Sequence, residues 1–364
     1  MFPVMSSASK INGILFIVLL CGMCLYSLPL VFGFASQQNA GQAMALFFDG
    51  KLVRKFEHYY DKSLFLRDPS IELWADIQYA LFREGASGVV LGRDGWLFTN
   101  QEYLLPGDLE ENLDKQLTLI DKAREQLAAK GTRLILLPIP MKLDTYAEHS
   151  RLAPSAQLSG LYEDFRARLS ERGIASADLR GAYNEAAAAL PLFLRNDTHW
   201  TPQGADLAAR TLARQFPELA GTTAYVTQTV GEKQVPGDLL NYLKFDPRFA
   251  PSYFAPVHIA LHETLKDSPK DIGDSLFADE AVSLAVVGTS YTRIDDWNFT
   301  GFLKQALQRD LISVALEARG PFEAMNAFLA SPAAASGDVH TVVWEFPLRT
   351  LLAQRQLPSP IAQQ

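Results

Sequence analysis

Residues 282–290 read VSLAVVGTS, an apolar run that ends in a glycine, a threonine and a serine. A short and uniformly apolar run is typical of a strand buried on both faces, as the strands of parallel sheets are. Because Ser290 follows this strand and a glycine, its hydroxyl is expected at the carboxyl edge of the sheet. Open α/β sheets bind their ligands at that edge.

Further apolar strands and amphipathic helices alternate along most of the chain. Strands are predicted at 133–138, 174–179, 311–316 and 339–346, and helices over 50–83, after Asp108, around 161–169, from Thr201-Pro202 and over 301–309. This alternation predicts an α/β fold with a mostly parallel sheet and helices on both sides. Residues 221–280 have no clear period, and we interpret them as a long excursion that shapes a surface or a cleft.

The N-terminal residues 11–34 are almost entirely apolar and are preceded by Lys10. A run of this length is sufficient to cross a bilayer as a helix, and the positive charge before it predicts that the rest of the chain is exported. Gly33 and Ala35 are small residues at which a signal peptidase could cleave, but the length of the run favours an uncleaved anchor. The predicted domains are a signal-anchor segment over 1–35 and one exported domain over 36–364.

The composition excludes some classes of function. Of the 364 residues, 48% are hydrophobic and 20% are charged, and the formal net charge is -8. An acidic chain is not typical of nucleic-acid-binding proteins, and an anionic substrate would require a local basic patch. Cys21 and Cys24 both lie in the apolar N-terminal segment. The exported region is therefore predicted to contain no disulfide and no cysteine metal site.

The segment Asn196-Asp197-Thr198-His199-Trp200 places an acid and an imidazole two residues apart. In an extended segment such side chains point the same way. A serine hydroxyl needs a base to take its proton and a carboxylate to orient that base, so Ser290, His199 and Asp197 are candidates for a catalytic triad. The residues alone also allow a turn serine and a structural hydrogen bond between the acid and the histidine.

A zinc site is the competing interpretation of Asp197 and His199. His258 and His262 have i, i+4 spacing, but the chain has no His-Glu-x-x-His signature, which a zinc-dependent hydrolase of that kind requires. We predict neither a metal nor another cofactor.

Five segments of the sequence resemble the alginate O-acetyltransferase family. In chain order they are Gly92-Arg93-Asp94-Gly95-Trp96-Leu97-Phe98, Pro138-Ile139-Pro140-Met141-Lys142, Asn196-Asp197-Thr198-His199-Trp200-Thr201-Pro202-Gln203-Gly204, Gly288-Thr289-Ser290-Tyr291 and Val343-Trp344-Glu345-Phe346-Pro347. The family's catalytic Asp and His correspond to Asp197 and His199, and its nucleophile to Ser290. Many relatives have Gly-Asp-Ser where this chain has Gly-Thr-Ser, which leaves the role of that Asp unfilled.

The resemblance implies an SGNH-hydrolase-like periplasmic domain that is held at the inner membrane by the N-terminal helix and acetylates a bacterial exopolysaccharide through an acetyl-serine intermediate. It also implies a membrane-bound O-acyltransferase as the partner that supplies acetyl groups, together with other polymer acetylation and export proteins. Alginate is the expected polymer, with cellulose or another exopolysaccharide as the alternative. Five side chains could bind the sugar or equally pack in the core: Tyr291, Arg293, Trp297, Lys142 and Tyr146.

Two other functions fit the same residues. A polysaccharide acetylesterase would use the same triad to remove acetyl groups. A non-catalytic polymer-binding subunit of an acetylation or export complex would not use the triad at all.

Overall fold

A computed structural model of the protein describes residues 7–267 and 282–352. The chain divides into two compact units, Met1–Trp74 and Ala75–Gln364. The apolar N-terminal helix shares the first unit with the residues that follow it as far as Trp74, and the candidate catalytic residues all belong to the second.

The strands of the described residues are β1 Val89–Leu91, β2 Leu97–Thr99, β3 Arg133–Ile139, β4 Ala175–Ser176, β5 Tyr225–Val235, β6 Val257–Lys266, β7 Leu284–Gly288, β8 Ile312–Ala315 and β9 Thr341–Pro347. The α-helices are α1 Ser7–Ser36, α2 Ala40–Phe48, α3 Lys51–Ser63, α4 Arg67–Phe82, α5 Leu109–Ala128, α6 Lys142–Thr145, α7 Ala156–Glu171, α8 Leu179–Ala186, α9 Pro202–Gln215, α10 Leu240–Leu243, α11 Ala250–Tyr253, α12 Ser290–Arg293, α13 Phe299–Leu307, α14 Pro321–Leu329 and α15 Pro332–Ser336.

The central sheet of the second unit has the strand order β4-β3-β9-β7-β8, and every pair in it is parallel. All five residues of β7 are buried, as a strand covered on both faces requires. Helices α5 and α8 pack on β3, and α14 packs on β7 and β9. The predicted α/β class with a mostly parallel sheet is confirmed.

Alternate residues of β9 place different chemistry on the two faces of the sheet. The rings of Trp344 and Phe346 lie on one face and both contact Phe322 of α14 edge to face. Glu345 lies between them in sequence, so its side chain points to the opposite face, toward the end of β7. A fully buried carboxylate is thereby placed beneath the residues that follow β7.

Two predicted segments differ from the observed ones. The strand predicted over 174–179 is only Ala175–Ser176, because the chain turns at Asp178, whose side chain caps α8. The aperiodic residues 221–280 contain the antiparallel ribbon β5–β6. Most positions of β5 are exposed, so this strand lacks the apolar alternation by which strands are recognised. The ribbon packs on the core mainly through Val235 and the β6 residue Ile259.

Candidate active site

Ser290 lies at the carboxyl end of β7, where the sequence predicts it. It is the first residue of α12, and Thr289 is the N-cap of that helix. Ser290 is half-buried and lines a cleft. The strand therefore presents this hydroxyl at the edge of the sheet.

Asp197 and His199 lie in a turn that is closed by a bridge between Phe193 and Trp200. The Asp197 carboxylate accepts a hydrogen bond from the backbone N–H of His199 at 2.8 Å, which fixes the turn locally. Its Oδ1 atom lies 2.6 Å from His199 Nδ1, and His199 Nε2 lies 2.7 Å from Ser290 Oγ. The structure thus brings Ser290 into contact with an acid–base pair that lies about 90 residues earlier in the chain.

The environment of Asp197 determines which atoms carry protons in the contacts between Asp197, His199 and Ser290. Burial favours its neutral form, but the hydrogen bonds and charge of His199 and the backbone N–H of Asp238 outweigh burial and lower the pKa of Asp197 to about 2. An ionised carboxylate can only accept hydrogen bonds, so His199 carries its proton on Nδ1. The lone pair of Nε2 is then directed at the Ser290 hydroxyl.

Asp238 is a second carboxylate at this site, and the sequence analysis did not identify it. Its two oxygens accept hydrogen bonds from Thr198 N at 2.8 Å and Thr198 Oγ1 at 2.5 Å, and Oδ2 lies 3.8 Å from His199 Nδ1. Burial, and then the negative charge of Asp197, raise the pKa of Asp238. Asp238 thus holds Thr198, the residue between the acid and the base, in place.

Asp197, His199 and Asp238 offer one possible metal-ligand atom each within 4.8 Å of one another. The oxygens of both carboxylates already accept hydrogen bonds from backbone N–H groups, the Thr198 hydroxyl or the imidazole. A cation would have to compete with these N–H and O–H donors for the same oxygen atoms. The arrangement therefore fits an acid–base pair better than a cation site.

His258 and His262, the other pair considered for zinc, both lie on β6. The i, i+4 spacing brings two ligands together on a helix, but on a strand it separates them by about 13 Å. Their spacing therefore does not form a chelating pair here.

Glu345 supports the nucleophile turn from below. Its carboxylate accepts a hydrogen bond from Thr289 N at 2.6 Å and from the hydroxyls of Thr289 and Thr292 at 2.9–3.0 Å. Burial raises the pKa of Glu345 despite these donors. A side chain at Gly288 would lie 2.3 Å from Thr292 Oγ1 and 2.6 Å from the Glu345 carboxylate, so only glycine leaves room for this network.

Tyr291 and Trp297, two of the predicted sugar-binding residues, are buried around the imidazole instead. The Trp297 ring is nearly parallel to that of His199 at 5.8 Å, and the Tyr291 ring lies 4.9 Å from it. The Tyr291 hydroxyl donates to the Thr198 carbonyl and accepts from the Arg349 guanidinium. Their placement fits a role in holding His199, not direct contact with a sugar.

Lys142 also lies in the interior, and a sugar-binding role does not fit its placement. Its ammonium group donates to the carbonyls of Leu97 and Leu194 at 2.6 Å and of Arg195 at 2.8 Å. Burial lowers the pKa of Lys142 to about 7, with the nearby carboxylate of Glu102 opposing that change. Lys142 ties β2 to the turn that carries the acid and the base.

The remaining two predicted sugar-binding residues are placed differently from each other. Tyr146 is buried, and its hydroxyl bonds the backbone of Leu190 and Leu192. Arg293 is exposed at the end of α12, so contact with a polymer stays a prediction for Arg293 alone.

The cleft in front of Ser290 is lined mainly by polar groups that the sequence analysis missed. Gln101, Asp238, Tyr242 and Arg349 are among its lining residues. Arg349 lies two residues after the end of β9, and this closeness to a strand end is the one signal of its role that the sequence offers. Tyr242 and Asp238 come from the stretch between β5 and β6, within the aperiodic residues that the sequence predicts to shape a surface or a cleft.

Comparison with known proteins identifies the fold and the family. Residues 89–348 match the family described as "SGNH hydrolase-like domain, acetyltransferase AlgX". The chain belongs to this family. Within it, the chain is 36% identical over 350 residues to a Pseudomonas putida protein named "Probable alginate O-acetylase AlgJ", covering 94% of this chain and 90% of that protein. A Pseudomonas aeruginosa protein of the same name is 38% identical over 346 residues, covering 92% and 87%.

A solved structure of a family member supports the same assignment. The O-acetyltransferase domain of Pseudomonas putida AlgJ superimposes with a TM-score of 0.68 at 34% identity, covering 76% of this chain and 98% of that domain. The predicted resemblance to alginate O-acetyltransferases and the SGNH-like fold are confirmed. At the position of this chain where the Asp of a Gly-Asp-Ser motif would stand, Thr289 is bonded to Glu345, which supplies a carboxylate to the turn from the neighbouring strand.

Proposed function

We propose that this protein is an O-acetyltransferase that acetylates hydroxyls of a bacterial exopolysaccharide, with alginate as the polymer. Its relatives named alginate O-acetylase support the reaction and the polymer. One observation carries the mechanism: Ser290 Oγ, His199 Nε2, His199 Nδ1 and Asp197 form an unbroken line of contacts at 2.7 and 2.6 Å. That line is the arrangement by which a serine becomes a nucleophile.

In the first half-reaction Ser290 Oγ attacks the carbonyl carbon of an acetyl donor while its proton passes to His199 Nε2. The tetrahedral intermediate then expels the donor's leaving group, which takes that proton, and acetyl-serine remains. General-base assistance of this kind contributes about 10²–10⁴-fold. The backbone N–H of Ser290, which begins α12 and so has no partner within that helix, is a candidate donor to the oxyanion.

In the second half-reaction a sugar hydroxyl gives its proton to His199 and attacks the acetyl-serine carbonyl. The ester of the sugar forms, the bond to Ser290 breaks, and His199 returns the proton to Ser290 Oγ. Asp197 stays ionised throughout and stabilises the imidazolium between the steps. No cofactor is required for either half-reaction.

The cleft offers a means by which an acidic protein binds an anionic polymer. Arg349 lines the cleft beside Ser290, and its guanidinium can pair with a carboxylate in two parallel hydrogen bonds. Tyr242 also lines the cleft and is half exposed, as a side chain that stacks on a sugar ring needs to be. The positive charge is local, as the net charge of -8 demands.

The proposed location is the periplasmic face of the inner membrane. Helix α1 is, among the described helices, the one long and apolar enough to cross a membrane, with its apolar part over Lys10–Ser36. We assign residues 1–35 to the signal-anchor and 36–364 to the exported domain. The acetyl groups would come from a membrane-bound O-acyltransferase, and other polymer acetylation and export proteins would complete the complex.

Cells that carry Ser290→Ala test the proposal when the acetyl content of their exported polymer is measured alongside the level of the protein. We expect near-total loss of acetyl groups at an unchanged protein level. Ser313→Ala is a matched control, because Ser313 is an exposed serine on the adjacent strand β8. Normal acetylation by Ser290→Ala would leave a polymer-binding subunit as the better account.

An acetylesterase remains a second candidate because the cleft is open and lined mainly by polar groups, so that water could reach the acetyl-serine. Purified protein can be given a chromogenic acetyl ester with and without an oligosaccharide acceptor. Transfer predicts acetylated oligosaccharide and faster ester consumption with acceptor present. An esterase predicts free acetate at a rate that the acceptor does not raise.

A further inference from the structure

Helix α1 is longer than a membrane crossing requires. It extends over 30 residues, which corresponds to about 45 Å, whereas the hydrocarbon core of a bilayer is about 30 Å thick. Part of this helix must therefore lie outside the hydrocarbon, and its packing within the N-terminal unit indicates which part.

Helix α3 packs on the second half of α1 in the antiparallel direction. The Ser27 and Tyr60 hydroxyls are 2.6 Å apart, and the Tyr26 hydroxyl donates to the Ser63 carbonyl at 3.3 Å. Farther along, the Phe34 ring contacts that of Phe56 at 5.3 Å. The chain thus reverses after Ser36 and descends along α1 as far as Tyr26.

The composition of α3 excludes it from the hydrocarbon. Its sequence, KLVRKFEHYYDKS, has its charged side chains along one side of the helix and no buried residue. With its other side packed on α1, the helix turns these charges toward its surroundings. A charged side chain costs about 2.5–3.5 kcal/mol or more at the centre of a bilayer. Because α3 reaches down to Tyr26, the bilayer surface lies near that residue. The crossing is then the part of α1 from its first residue, Ser7, to Leu25, about 29 Å of helix, with the Lys10 ammonium extended into the headgroups.

The turn between α3 and α4 lies at the same level. The Phe65 ring contacts the Tyr26 ring edge to face at 4.8 Å, and Phe65 N donates to the Tyr26 hydroxyl at 3.2 Å. The Phe65 side chain is nevertheless 62% exposed and that of Leu66 is 40% exposed. Two large apolar side chains and a tyrosine therefore meet where the chain reaches the bilayer.

We infer that Tyr26, Phe65 and Leu66 form a membrane-interface contact that inserts into the headgroup region on the exported side of the bilayer that α1 crosses. Tyrosine and other aromatic side chains favour that region because they combine an apolar ring with a polar group. The inference rests on the proposed membrane anchor and is independent of the proposed catalysis. Lipid is the chosen occupant because the turn is continuous with the membrane helix through the Tyr26 contact.

This contact would fix the height of the N-terminal unit above the membrane. Two attachments, the helix and the turn, resist both tilting and withdrawal better than the helix alone. The opposite end of α3, near Phe48 and Gly50, would stand about 20 Å farther from the surface, since α3 has 13 residues.

Full-length protein in nanodiscs of phosphatidylethanolamine and phosphatidylglycerol tests the inference by spin-label accessibility. In a background with Cys21→Ala and Cys24→Ala, nitroxides are attached at Phe65→Cys and, separately, at Leu66→Cys, which keeps the Phe65 contact. Phe48→Cys is the matched control, because Phe48 is an even more exposed phenylalanine at 79%. Collision with oxygen reports lipid, and collision with a nickel chelate reports water.

We expect a several-fold higher ratio of oxygen to nickel accessibility at Phe65 and Leu66 than at Phe48. Equal ratios at the three sites would overturn the inference, as would labels at Phe65 and Leu66 shielded from both reagents, which would indicate a protein partner. A label on the native Cys21, with Cys24→Ala alone, checks the anchor separately. If that label is open to water the anchor itself fails, whereas a lipid-exposed Cys21 with a water-exposed Phe65 contradicts only the interface contact.

Discussion

The two halves of the candidate active site are supported by buried charges of opposite sign. Beneath the turn that carries Asp197 and His199, the Lys142 ammonium satisfies backbone carbonyls. Beneath the turn that carries Ser290, the Glu345 carboxylate accepts from a backbone N–H and two hydroxyls. The difference follows from the backbone groups that each turn leaves unpaired, because a buried polar group must find a partner.

A hydrogen bond between the two halves holds them at a fixed distance from each other. The Tyr291 hydroxyl, from the Ser290 side, donates to the carbonyl of Thr198 on the other side. Each support holds one turn, and this hydrogen bond joins the two. Substitutions at Lys142, Glu345 and Tyr291 should therefore differ in the size of their effects. They should also differ in whether they disturb the turn of Asp197 and His199, the turn of Ser290, or the connection between the two.

Lys142→Met is expected to have the largest effect on stability. Methionine keeps much of the side-chain volume but leaves the carbonyls without their donor, and loss of one partner from a buried charged network costs about 3–5 kcal/mol. Thermal denaturation of the full-length protein measures the change. Lys130→Met, at an exposed lysine, is the control, and equal melting temperatures for the two variants would contradict the support role of Lys142.

Glu345→Gln is expected to act mainly on the nucleophile. The amide presents N–H donors where the turn needs acceptors, so Ser290 shifts. An increase of about 1.4 kcal/mol in the activation free energy would slow the reaction of Ser290 tenfold. The rate of Ser290 modification by a sulfonyl fluoride measures this without any sugar or acetyl donor. Glu185→Gln, at an exposed glutamate, should react at the wild-type rate, and a wild-type rate for Glu345→Gln would show that the turn needs no carboxylate.

The stability of Glu345→Gln should also depend on pH relative to the wild type. Burial raises the pKa of Glu345 in the folded protein above the value of about 4.3 for an unfolded chain. Between the two values the folded state binds more protons, so this residue's contribution to stability falls as the pH rises. The melting temperature of the variant minus that of the wild type should increase from about pH 4 toward neutrality; a constant difference would contradict the raised pKa.

Tyr291→Phe is expected to have the smallest effect. It removes two hydrogen bonds, one to the Thr198 carbonyl and one from the Arg349 guanidinium, each worth about 0.5–1.5 kcal/mol, and keeps the ring that packs on His199. The acetyl-transfer rate should fall several-fold, and the melting temperature should fall less than it does in Lys142→Met. Tyr225→Phe, in the β5–β6 ribbon, controls for the loss of a tyrosine hydroxyl, and an unchanged rate for Tyr291→Phe would mean that the halves need no such connection.

The meeting of Ser290, His199 and Asp197 could be predicted from the sequence, but the groups that support these three residues could not. Asp197 and His199 share a local motif and Ser290 follows an apolar strand, so topology alone brings these three side chains to one sheet edge. Glu345 lies in a recognised segment, yet its role depends on the pairing of β7 with β9, which places it beside Gly288. No sequence pattern reveals such a pairing.

The sequence also does not reveal which of the candidate side chains are buried. Lys142, Tyr291 and Trp297 carry groups that suit sugar binding, and only the structure shows that they are enclosed. Asp238 was missed because it lies in a stretch with no hydrophobic period. Its position is set by Gly237, where a Cβ would lie 2.3 Å from the Asn196 carbonyl, a close approach that a sequence pattern does not express.

The central claim is that Ser290 carries the acetyl group between donor and polymer. Purified full-length protein can be mixed with an activated acetyl ester, quenched in acid, digested and examined by mass spectrometry, with His199→Ala in parallel. We predict one acetyl group on Ser290 in the wild type, lost on addition of oligosaccharide acceptor, and none in His199→Ala. Acetyl transfer to the oligosaccharide by a protein whose Ser290 is never acetylated, or by Ser290→Ala, would contradict the account.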